Sequence, residues 1–174
     1  MCHYITLIAR TDDVDGLRAV MKAFGRTAAP VANPSIGKML LAGERQFLTA
    51  VGCDCGTVLG SGAEDAAQDR AEVEAARLAR KGWSRAKIER AMAASQRAAS
   101  RPKTRARDSV ELWADVLGAL ESRLGLPQAG LVVHAYSGSL DDEVFDVGRR
   151  EAGAMSAEGL GAMREDEVTT FRMR

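Results

Sequence analysis

His3-Tyr4-Ile5-Thr6-Leu7-Ile8-Ala9 is β-branched and aromatic, and the polar cluster Thr11-Asp12-Asp13 follows it. It reads as a strand that begins the core sheet. Asp12 or Asp13 then caps a helix whose apolar positions Leu17, Val20, Met21 and Phe24 share one face, and Gly25 ends it. Thr27 to Val31 reads as a short edge strand, because Pro30 cannot donate to a central ladder, and Asn33-Pro34-Ser35 breaks it. Gln46 to Val51 is the next strand, with the turn Gly52-Cys53-Asp54-Cys55-Gly56 directly behind it.

Glu64 to Ser100 is rich in Ala, Glu and Arg and divides at Lys81-Gly82-Trp83-Ser84, which predicts a helical hairpin. Ser84 is its expected internal N-cap, with Trp83 and Ile88 as a hydrophobic staple. Asp108 opens a further helix with the apolar stripe Val110, Leu112, Trp113, Val116, Leu117 and Leu120, stopped at Gly125-Leu126-Pro127. Gly130 to Tyr136 reads as a buried strand and Glu167 to Met173 as a terminal one, with a short helix expected near Glu143 to Arg149.

This order predicts an α+β fold with a ferredoxin-like antiparallel sheet packed by helices. A basic helical hairpin, residues 64–105, is inserted within a single domain of residues 1–174, and one strand is added at the C-terminal end. Right-handed crossovers give the strand order 4-1-3-2, so the first and third strands are antiparallel neighbours. Cys2, at the start of the first, then lies beside Cys53 and Cys55, just past the end of the third. His134 belongs to the fourth strand and falls near the same rim.

Thiolates suit soft or borderline metals, and sulfurs around a tetrahedral zinc, with Zn–S bonds of about 2.3 Å, stand nearly 4 Å apart. An extended strand would hold Cys53 and Cys55 about 6–7 Å apart, so the turn between two glycines is what brings them together. Cys2, Cys53 and Cys55 are therefore the expected metal ligands, with His3, His134 or Asp54 for a fourth position. His3 points away from Cys2 in a regular strand, which favours His134. The expected role is a zinc site that is structural or regulatory rather than catalytic. A thiol redox pair formed by Cys2 with Cys53 or Cys55 is the alternative use of the same residues.

The other sequence signals are broader. A chain of 174 residues with 46% hydrophobic composition supports one compact core. Three cysteines are too few for a secreted disulfide scaffold, and no run approaches the roughly 20 apolar residues of a membrane span or the pattern of a signal peptide, so a cytoplasmic location is expected. The formal charge is zero but uneven: residues 76–107 hold eleven Lys and Arg against Glu89 alone. Arg77, Arg80, Lys81, Arg85, Lys87 and Arg90 are the expected contacts for an acidic protein or nucleic acid, unless the charges pair internally or between copies in a homo-oligomer. Gly56 to Gly62 lacks the Lys-Ser/Thr ending of a phosphate loop, and Asp141, Asp142, Glu143 and Asp146 lack EF-hand spacing. No Ser-His-Asp elbow or zinc-protease helix is present, which argues against an ordinary hydrolase.

Overall fold

The computed structural model describes residues 2–59, 75, 78, 79, 82–99 and 108–173. The chain divides into two compact units, residues 1–61 with 107–174 and residues 62–106. The larger unit is α+β. Among the described residues its six strands are β1 (Cys2–Ala9), β2 (Ala29–Val31), β3 (Arg45–Leu48), β4 (Gln128–Tyr136), β5 (Gly148–Ala154) and β6 (Glu167–Arg172). They form one sheet in the order β2-β3-β1-β4-β6-β5. β1 is flanked by β3 and β4, antiparallel to both.

The helices of this unit are α1 (Val14–Ala23), the single turn α2 (Pro34–Gly37), α4 (Val110–Leu124) and α5 (Ala157–Gly161). In α1 the Asp13 carboxylate accepts from the Gly16 amide, satisfying one of the free amides at the helix start. Gly25 follows with φ +70°, a left-handed conformation that glycine adopts without a Cβ penalty. α1 and α4 cover one face of the sheet, where Leu17, Met21, Trp113, Val116, Leu117 and Leu120 meet Ile5, Leu7, Leu131 and Phe171. Each fully buried side chain of this kind contributes about 1.5–3 kcal/mol. The opposite face carries a smaller core of Ile8, Ile36, Val132 and Val168, with Phe145 and Val147 packed on it.

Four expectations need correction. Ser109 rather than Asp108 caps α4, accepting from the Leu112 amide at 3.2 Å. Asn33 does not simply break the chain; its Oδ1 accepts from the Ser35 and Ile36 amides and starts α2. The sheet is mixed, because β5 runs parallel to β6. Residues 143–149 form no helix, and β5 begins within that span. β5 has no β-branched residue to announce it; edge pairing and the ion pairs Arg149–Glu44 and Arg150–Glu167 hold its start.

In the second unit, α3 (Arg85–Ala99) is preceded by Gly82 at φ +79°. The Lys87 and Ile88 amides donate to the Ser84 carbonyl. Lys87 lies over the Trp83 ring with its Nζ 3.9 Å from the centroid, and Arg85 pairs with Glu89 at 2.9 Å. Most of the first arm of the expected hairpin, with Arg77, Arg80 and Lys81, lies outside the described residues. Among those residues, no helix is long and apolar enough to cross a membrane.

Candidate metal centre

β3 ends at Leu48, yet the edge of β1 that it covers continues toward Cys2. Every backbone group left there needs a partner. Thr49 supplies the first, donating its amide and its hydroxyl to the Ile5 carbonyl at 3.2 and 2.9 Å. The chain then bends through Val51 and Gly52 and returns alongside β1. There the Ile5 amide donates to Asp54 Oδ2 (2.9 Å), the Asp54 amide donates to the His3 carbonyl (2.7 Å), and the His3 amide donates to Cys55 Sγ (3.2 Å). A carboxylate and a sulfur thus stand where a longer strand would have placed peptide groups. Gly52 is not needed for its conformational freedom: its φ lies outside the left-handed region, and a methyl group placed on it meets no atom within 4 Å.

This path brings the sulfurs of Cys2, Cys53 and Cys55 within 4.8 Å of one another. All three are free thiols, Cys2 and Cys55 exposed and Cys53 half-buried. The Cys55 amide, hydrogen-bonded to the Cys53 sulfur, draws the Cys53 thiol below its ordinary pKa, with further help from the Cys55 and Cys2 side chains. Burial pushes the Cys55 thiol up, and its sulfur neighbours add to that despite the His3 amide. Of these two thiols, Cys53 is therefore the one whose thiolate the local hydrogen bonds favour. Tyr4 records the same crowding: burial, then the three cysteines, raises its phenol.

The chain matches no family model, and no curated protein or solved structure is found similar to it.

Behind the thiols lies an ionic group that the sequence did not reveal. Asp54, 1% exposed, takes a hydrogen bond from Arg26 Nη1 at 2.5 Å, and Arg26 Nη2 bonds Asp108. Asp108, 2% exposed, also accepts from the Val58 amide and Trp113 Nε1, both at 2.7 Å. The Arg26 guanidinium lies 4.4 Å from the Trp113 ring centroid, combining charge pairing with a cation–π contact. Burial raises the Asp54 pKa, opposed by the Ile5 amide and Arg26. Asp54 is consequently a buried brace, with its oxygens committed to Ile5 and Arg26.

The two histidines stand differently with respect to the thiols. His134 does share the Cys2 face of the sheet, since Tyr4 pairs with His134 and Cys2 with Tyr136. It is not part of the thiol group. Its Nδ1 meets Asp166 Oδ1 at 2.5 Å, its ring stacks on Phe145 at 3.5 Å, and its Nε2 lies 3.9 Å from Glu143 Oε1. His3 is the imidazole beside a thiol, with Nδ1 3.9 Å from Cys55 Sγ and Nε2 2.6 Å from Glu165 Oε1. The face rule misleads here because Cys55 lies against the strand edge, hydrogen-bonded to the backbone of His3, and so is within reach of a residue on the face opposite Cys2.

Proposed function

We propose that Cys2, Cys53 and Cys55 together hold one metal ion, with zinc the best suited, in a structural or regulatory role. The observation that carries this reading is the convergence of three sulfurs within 4.8 Å from two distant parts of the chain. Zinc binds thiolates, and amides donated to sulfur, as at Cys53 and Cys55, stabilise that form. Three anionic sulfurs make a bound zinc a poor Lewis acid, which favours a structural or regulatory use over hydrolysis. We also read β4-β1-β3-β2, with α1 and α4, as a ferredoxin-like pattern extended by β6 and β5.

The test is metal content by mass spectrometry on protein produced in zinc-supplemented medium, beside the double variant Cys53→Ser, Cys55→Ser. The expected result is about one zinc per chain in the wild type, in line with a single three-thiolate cluster, and none in the variant. Wild-type protein that holds no metal, even after reduction and reconstitution with zinc, overturns the reading. If that protein instead carries a disulfide from Cys2 to Cys53 or Cys55, thiol exchange takes its place, a use favoured by the lowered Cys53 pKa.

A further inference from the structure

Three thiolates leave a tetrahedral zinc one ligand short. We propose that His3 supplies the fourth ligand through Nδ1, with Glu165 as the carboxylate that orients it; this rests on the three-cysteine reading above. Asp54 is committed to Ile5 and Arg26, and His134 is held by Asp166 and Phe145. His3 Nδ1 stands 3.9 Å from Cys55 Sγ. Around a tetrahedral zinc with bonds of about 2.3 Å to sulfur and 2.0–2.1 Å to nitrogen, those atoms are about 3.5 Å apart.

The second nitrogen makes the case specific. A carboxylate only accepts, so in the neutral ring the 2.6 Å contact with Glu165 places the proton on Nε2. Nδ1 then keeps its lone pair on the thiol side. A ring that donates from one nitrogen to a carboxylate and offers the other to metal is the usual outer arrangement of a histidine ligand. The pair is also stapled through the backbone, since the His3 amide donates to the same Cys55 sulfur. His3 is not yet within 4.8 Å of all three sulfurs. Zinc would draw the sulfurs to about 3.8 Å, and this contraction, with a rotation of the His3 ring, completes the set.

The inference is tested by zinc titration against a chromophoric chelator for wild type, His3→Gln and Glu165→Gln, with circular dichroism to establish that each variant folds. Nitrogen-15 spectra of the histidines in the wild type, with and without zinc, need no variant. The expected results are a loss of affinity of about 10–100-fold in Glu165→Gln, as for other outer partners of a metal ligand, and at least that loss in His3→Gln. The His3 Nδ1 resonance should move on zinc binding while Nε2 remains protonated. Full affinity in His3→Gln, an unmoved His3 resonance in zinc-loaded protein, or loss of affinity in His134→Gln instead overturns the assignment and leaves the three-cysteine site standing. A wild type that binds no zinc removes both, and is recognised before any variant is made.

Discussion

Replacing Arg26 with Met keeps an unbranched side chain of similar reach and removes the cation that bridges Asp54 and Asp108. The Arg26 side chain is 8% exposed and its two carboxylate partners are 1% and 2% exposed, so solvent screens the loss poorly. Removing one member of a buried ionic group strands the remaining charge and costs about 3–5 kcal/mol. With a urea slope of about 2 kcal/mol per molar, the unfolding midpoint should fall by about 1.5–2.5 M at pH 7. A Trp83→Phe background makes Trp113 the sole tryptophan, so fluorescence then reports the unit that contains the sheet. The pH dependence has a definite sign. Burial already raises the Asp54 pKa against the pull of Ile5 and Arg26, and deleting Arg26 raises it further. A carboxyl whose folded pKa exceeds its unfolded value costs stability at neutral pH, and the cost is relieved as pH falls through the folded value. The gap between variant and wild type should therefore narrow from pH 7 to pH 5. A midpoint shift below about 0.5 M, or a gap that widens on acidification, would refute the reasoning.

Gly52→Ala should change stability by less than about 0.5 kcal/mol and leave the metal content unaltered, since the backbone there is not left-handed and the added methyl meets nothing within 4 Å; a loss above about 1 kcal/mol by urea unfolding contradicts this. Glu44→Gln should cost about 2–3 kcal/mol at pH 7, because a carboxylate that is 3% exposed accepts both terminal nitrogens of Arg149. Burial pushes the Glu44 pKa up, but the hydrogen bonds from Arg149 and the Leu41 amide prevail and hold it below the usual range. Its contribution is thus present above the unfolded value of about 4.3 and lost as pH falls through the depressed folded one, so the two proteins should converge below about pH 4 in chemical denaturation. A constant difference down to pH 3 would show that the pair is not what holds the acid ionised.

The parts of the fold legible in the sequence are those with local periodicity. β1 follows from its β-branched run, α1 from the spacing of Leu17, Val20 and Met21, and α4 from its stripe around Trp113. The meeting of Cys2 with Cys53 and Cys55 followed from strand order, because adjacency of β1 and β3 is a topological consequence and not a matter of side-chain detail. Arg26, Asp54 and Asp108 were illegible for the opposite reason. Their contacts span 28 and 82 residues, and a buried charge has the same letter as a solvated one. For the histidines, alternation of faces holds inside a strand but does not constrain a loop lying against its edge, so it gave no sign that His3 stands beside Cys55. Glu165 and Asp166 carried no signal either; the Asp166 amide donates to the Val133 carbonyl, which docks this turn beside β4 and lets consecutive acids reach His3 and His134.

The order in which these parts leave the ribosome differs from the order in which they matter. All three sulfurs, with Arg26 and Asp54, lie within the first 55 residues, and pairing of β1 with β3 closes only a short loop. Asp108 and Glu165 arrive later, and β4 must close on β1 across more than a hundred residues, a slower search. A nascent chain can gather its thiols before the acids that brace them exist. In that interval the thiols are most open to oxidation, and the contacts of Asp108 with Arg26 and of Glu165 with His3 are added only from the C-terminal side of the chain.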